Sequence, residues 1–190
     1  SSSSATADTS ADDGINQYEN AIDQATNSLD SAEQGYEANK YDQVIEDCDK
    51  GLSHAREAAS IAERQGLNAK LTEADTLIED IIGLKEKAET EKEKSQIQAA
   101  IDEIENKISA VREEVKKEDI SVEHGQIRSI ESKLQEIESQ LSTSDHEFDD
   151  LKKQLDDSVE RFEKLQNQIG NTENLNIPET IPTSPQLSAE

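Results

Sequence analysis

The chain has 190 residues, 44 Asp and Glu against 19 Lys and Arg, a formal charge of −25, and only 32% hydrophobic and 3% aromatic residues. One cysteine excludes an intrachain disulfide framework and any multi-thiolate metal site. The charge argues against nucleic-acid binding, which needs clustered Lys and Arg, and no apolar run reaches the roughly 18 residues that a membrane-crossing helix requires.

No Met is present, which predicts a processed or excised chain. Residues 1–14 (SSSSATADTSADDG) carry no large apolar side chain and are expected to form a solvated, disordered lead, as follows a cleavage site or anchor in exported proteins. From Ile15 a helical stripe begins: Ile15, Tyr18, Ile22, Ala25, Leu29, Ala32 and Tyr36, at spacings of three, four and seven. It stops near Asn39, a turn-favouring residue. A second stripe, Tyr41, Val44, Ile45, Cys48, Leu52, Ala55, Ala59 and Ala62, runs to Gly66, which suits a helix C-terminus. A third follows at once: Leu67, Leu71, Ala74, Leu77, Ile78, Ile81, Ile82 and Leu84. Residues 15–84 thus predict a three-helix bundle with a small shared core.

Residues 85–96 (KEKAETEKEKSQ) carry eight charges, no Pro and no Gly, with opposite charges three or four apart. Such pairs support an exposed helix, so this stretch is expected to be a charged helical bridge. A continuous helix over residues 67–117 would measure about 75 Å. Gly83 is its weak point, because Gly costs about 1 kcal/mol inside a helix.

The pattern then sharpens. Ile97, Ile101, Ile104, Ile108, Val111 and Val115 alternate spacings of four and three, a heptad seam of β-branched residues. Ile127, Ile130, Leu134, Ile137 and Leu141 form a second seam. Ser144 and Glu147 make a capping-box pattern before a third helix with Phe148, Leu151, Leu155, Val159, Phe162, Leu165 and Ile169. Residues 97–169 therefore predict an antiparallel three-helix coiled coil. Residues 170–190 hold all three prolines and no stripe, and are expected to be a disordered tail. The fold class is all-α: an antiparallel helical bundle plus coiled-coil helices, elongated, with disordered termini.

Residues 32–55 read AEQGYEANKYDQVIEDCDKGLSHA. Ala32 is a small residue at a close helix approach, Tyr41 follows the break, and Val44, Ile45, Cys48 and Leu52 supply the second helix's packing positions. This stretch resembles one tetratricopeptide-type helix pair, a resemblance that implies packing or partner contact. The family's later Pro is missing and Gly51 stands where Ala is usual. A stacked array needs about three repeats, so no solenoid follows. The acidic composition resembles that of proteins from salt-loving archaea, where surface carboxylates keep a chain hydrated. The 14 Lys against 5 Arg depart from that pattern.

Chemistry-bearing residues are sparse. His54, His124 and His146 form no metal-ligand spacing. Cys48 lies on an apolar stripe and is expected to be a buried, inert thiol. The acidic pairs match no calcium-loop spacing, and no glycine-rich phosphate loop occurs. No catalytic, cofactor-binding or metal-ligating residue is assigned, and no enzyme activity is expected. The expected interaction seam is Ile97, Ile101, Ile104, Ile108, Val111, Val115, Ile127, Ile130, Leu134, Ile137 and Leu141. It would serve a protein partner or self-association, in scaffolding or spacing. The alternative is an exported, membrane-tethered stalk or ligand-binding domain at the surface of a halophilic cell; sequence leaves cytoplasm and cell surface both open.

Overall fold

The computed structural model describes the backbone of residues 2–118, 121–143 and 148–170, and the side chains of residues 12–113, 124–143 and 148–169. The described residues form five helices and no strand: α1 (Ser2–Glu37), α2 (Tyr41–Arg64), α3 (Asn68–Glu118), α4 (Ser121–Thr143) and α5 (Asp149–Gly170). The protein is all-α. α1 begins at Ser2, inside the segment read as a solvated lead. The capping pattern at Ser144 and the residues after Gly170 lie outside the described residues.

Both turns in the first half are closed by a residue in the left-handed region. Asn39 has φ 60°, and Lys40 N–H returns to the Gly35 carbonyl at 2.8 Å. Gly66 has φ 68°, and Leu67 N–H returns to the Ala62 carbonyl at 2.8 Å. Each bond satisfies a carbonyl that the ended helix would leave unpaired, and each reverses the chain within three residues. Tyr41 donates its hydroxyl to Asn39 Oδ1 at 2.8 Å, and its ring meets Tyr36 edge-on at 5.7 Å.

The chain divides into two compact units, Ser1–Lys92 and Glu93–Glu190, so the division falls within the charged bridge. α3 continues through Gly83 without a break. A methyl group there would meet nothing within 4 Å, so the glycine fills no packing need.

The first unit packs mainly through small residues. Ala25, Ala32, Ala55, Ala58, Ala62, Ala74 and Ala88 are all buried, around the larger Tyr18, Val44, Leu52, Ile61 and Ile81. Small side chains let helix backbones approach closely. A Cβ at Gly51 would lie 3.2 Å from Ile81 Cδ1 and 3.3 Å from Ser28 Cβ. One at Gly35 would lie 3.1 Å from Val44 Cγ2. Tyr18 donates its hydroxyl to the Lys70 carbonyl at 2.8 Å, tying α1 to the first turn of α3. Lys70 pairs with Glu19, Lys85 with Asp49, and Lys92 with Asp42, each across two helices. These pairs are partly exposed and add more to register than to stability.

The second unit packs through large β-branched and aromatic residues. The latter part of α3, with α4 and α5, buries a single cluster from Ile97 to Ile169. Gln98 meets Glu138 and Arg112 meets Glu131, so α4 runs antiparallel to α3. Arg161 meets Ser129 and Lys152 meets Glu93, so α5 turns back beside α3. The buried serine, Ser158, returns its hydroxyl to the Gln154 carbonyl within α5, which removes the cost of burying it.

Candidate functional sites

The seam residues are spent inside the second unit. Ile97, Ile101, Ile104, Ile108, Val111, Ile127, Ile130, Leu134, Ile137 and Leu141 are all buried, none more than 4% exposed. The side chain of Val115 lies outside the described residues. Sequence periodicity identifies these positions as one packing set. It leaves open whether the opposite face comes from the same chain, and here Phe148, just before α5, and Leu155, Val159, Phe162, Leu165 and Ile169 of α5 supply it.

Cys48 is fully buried on α2. Burial, then the negative charges of Asp49 and Asp47, push its thiol up to about 11, against a smaller opposing effect of Lys85. A thiol so placed stays protonated near neutral pH and is a poor nucleophile. His54 and His124 are half-buried, on α2 and α4, and His146 lies outside the described residues.

Two local groupings escape the periodicity argument because each is assembled from separate helices. On the α3–α4 rim, Asp102, Glu105 and Glu138 bring carboxylate oxygens within 4.8 Å of one another. Gln98 Nε2 donates to Asp102 Oδ1 at 3.0 Å and to Glu138 Oε1 at 3.1 Å, bridging part of the cluster. Partial burial raises the Glu105 carboxyl above its ordinary value. The Glu138 charge, a hydrogen bond to Glu138 and the Asp102 charge raise it further. Glu105 and Glu138 flank the seam, one position after Ile104 and Ile137. A sequence search for facing like charges beside the seam would have found them.

On the other side of α4, facing α5, lies a groove lined by Gln126, Ile130, Arg161, Lys164, Leu165 and Gln168. Its floor is the apolar core surface of Ile130 and Leu165, and its rim carries two cations and two amides. Arg161 Nη2 donates to Ser129 Oγ at 2.9 Å. Lys164 pairs with Glu160 of its own helix, both side chains well exposed.

Among the described residues, no helix is long and apolar enough to cross a membrane. No protein family, no curated protein and no solved structure matches this chain, so the site residues stand on geometry alone.

Proposed function

We propose that the chain is a non-enzymatic structural and interaction protein, whose helices space, scaffold or bind other proteins. One observation carries this reading. Every described Ile, Leu, Val, Phe and Tyr is buried or half-buried, and what faces solvent is polar and strongly acidic. Apolar side chains build the framework, and partners meet its charged helical faces.

The finer parts of the reading follow from the same arrangement. The α1–α2 hairpin resembles a single tetratricopeptide-type pair, a likeness supported by the Tyr36–Tyr41 contact at its turn and the close approach at Gly51. The regular seams of the second unit suit a short intramolecular coiled coil. The density of surface carboxylates suits a salt-rich setting, where charge is screened over a few ångströms.

In-cell cross-linking with mass spectrometry tests the interaction role. The reading predicts recurrent links from surface lysines such as Lys40, Lys87 and Lys153 to one partner protein. The links from Lys153 would disappear when Ile104→Asp collapses the second unit, while those from Lys40 and Lys87 in the first unit would remain. Links that merely track protein abundance, or turnover of a metabolite by the purified chain, would contradict it.

A further inference from the structure

The two units hold equal numbers of large apolar side chains and bury them very differently. Among the described residues each has seventeen Ile, Leu, Val, Phe and Tyr. All seventeen are buried in the second unit; in the first, five are buried and twelve are half-buried. The opening follows a row of side chains. On α1, Ile22, Leu29 and Tyr36 recur every seven residues, and all are half-buried. They share their side of α1 with Glu19, which meets Lys70 of α3, whereas Ser31 on the other side meets Asp47 of α2. On α3, Leu77 and Leu84 follow Lys70 at the same interval and are half-buried too. Lys85, the next residue, already turns to Asp49 of α2. Ile22 rests on the buried cluster of Tyr18 and Ala74, and the other four rest on that of Ala25 and Ile81. These five side chains border a shallow apolar groove between α1 and α3, about 20 Å long from Ile22 to Tyr36. Its walls are acidic. α1 has eight carboxylates and no Lys or Arg over its 36 residues. On α3, Glu73 and Asp80 flank Leu77 and are exposed, with Lys87 beyond Leu84.

An apolar groove between acidic walls matches a helix with one apolar stripe and cationic flanks. We infer that the α1–α3 groove docks a cationic amphipathic helix of another protein. The helix lays its apolar stripe over Ile22, Leu29, Leu77 and Leu84, and its Lys and Arg meet the carboxylates of α1 and α3. Two occupants closer to hand carry the wrong charge. A second copy brings another −25, and residues 171–190 hold three carboxylates and no Lys or Arg. Salt screens the ionic flanks but leaves the apolar contact, so binding weakens with salt without vanishing. This inference rests on the interaction reading above and names the kind of partner.

The probe is a synthetic helix of about 21 residues, with Leu at the a and d positions and Lys elsewhere. It is titrated into the full chain at about 0.15 M salt, beside a peptide of the same composition in scrambled order. Fluorescence anisotropy reads affinity, and the methyl resonances of Ile22, Leu29, Leu77 and Leu84 read the site. The inference predicts saturable binding with shifts at those methyls, and binding of the scrambled peptide weaker by about tenfold or more, since it has no stripe to bury. Leu77→Lys places a cation in the groove and should weaken binding by about tenfold. Asp80→Lys changes an exposed wall residue, leaves the core intact and should weaken binding several-fold. Glu113→Lys with Asp157→Lys, a larger charge change among exposed residues of the other unit, should leave affinity within about twofold. Equal binding of the scrambled peptide, or undiminished binding in both Leu77→Lys and Asp80→Lys, would overturn the inference. A dimer that Leu77→Lys dissolves would give the groove to a second copy. Overhauser contacts from these methyls to Ile177 or Ile181 in the free chain would give it to the chain's own C-terminal residues. Either result overturns the inference as well. In-cell links that persist while the peptide fails to bind would overturn this docking alone and leave the interaction reading in place.

Discussion

Three glycines of the first unit make a sharp test of the packing described above, because the same change to alanine should act differently at each. At Gly83 the added methyl meets nothing within 4 Å, and the residue lies inside the 51-residue α3. Only helix propensity changes, so Gly83→Ala should stabilise the unit by about 0.8–1 kcal/mol. At Gly51 the same propensity gain is opposed by a Cβ 3.2 Å from Ile81 Cδ1 and 3.3 Å from Ser28 Cβ. The Ile81 methyl can turn aside, but Ser28 Cβ is fixed to its backbone. Overpacking of this kind costs about 1–3 kcal/mol, so Gly51→Ala should be neutral to about 2 kcal/mol destabilising. At Gly66 there is space, but φ is 68°. Gly66→Ala should cost about 1–2 kcal/mol through the left-handed backbone alone. All three tyrosines, Tyr18, Tyr36 and Tyr41, belong to the first unit, and the chain has no Trp. Tyrosine fluorescence during urea unfolding therefore reports that unit without interference from the other. With a slope of about 1–2 kcal/mol per molar urea, a change of about 1 kcal/mol moves the midpoint by about 0.5–1 M, well within measurement. A lower midpoint for Gly83→Ala, or a rise for Gly51→Ala as large as that for Gly83→Ala, would contradict this packing.

The second unit should respond to loss of its core side chains. Leu134 is fully buried, so Leu134→Ala should cost about 2–5 kcal/mol, seen as early loss of the 222 nm ellipticity while tyrosine fluorescence holds. The carboxylate rim should make this unit more stable in mild acid. Glu105 has a raised pKa in the fold, so the folded state binds the proton more tightly than the unfolded chain. The stabilisation is full below the ordinary glutamate pKa of about 4.3 and is lost as pH rises through the folded value. Glu138→Gln should thus raise the melting temperature at pH 7 and narrow the difference between pH 7 and pH 5. An unchanged pH dependence would exclude the coupling. Cys48 should react slowly with a thiol reagent in the native state and rapidly in urea, since burial holds it protonated; equal rates would contradict its placement.

The helical layout was legible in the sequence wherever one local rule was enough. Asn39 and Gly66 mark the turns because both residue types accept the left-handed backbone that ends a helix, and the 4–3 spacing from Ile97 to Val111 names the buried positions. Continuity of α3 through Gly83 was less legible, because the cost of about 1 kcal/mol argues for a break. Ile81 and Ala88 on either side of Gly83 are buried, and that burial outweighs the local cost. The close approach at Gly51 could not be read, since it depends on Ser28 and Ile81 from two other helices. The Arg161 groove was equally illegible, and the acidic rim was legible only through like charges placed beside two seams. Each joins residues 30 or more apart in sequence, and no periodicity within a single helix brings them together.

The apolar seams of the second unit are completed within one chain. The most direct measurement is the thermal unfolding of the protein, followed at 222 nm over a hundredfold range of concentration at fixed salt. Intramolecular seams predict a midpoint that does not move with concentration. A midpoint that climbs with concentration would mean that Ile104, Leu134 and their neighbours need a second chain to bury them, and would contradict the account.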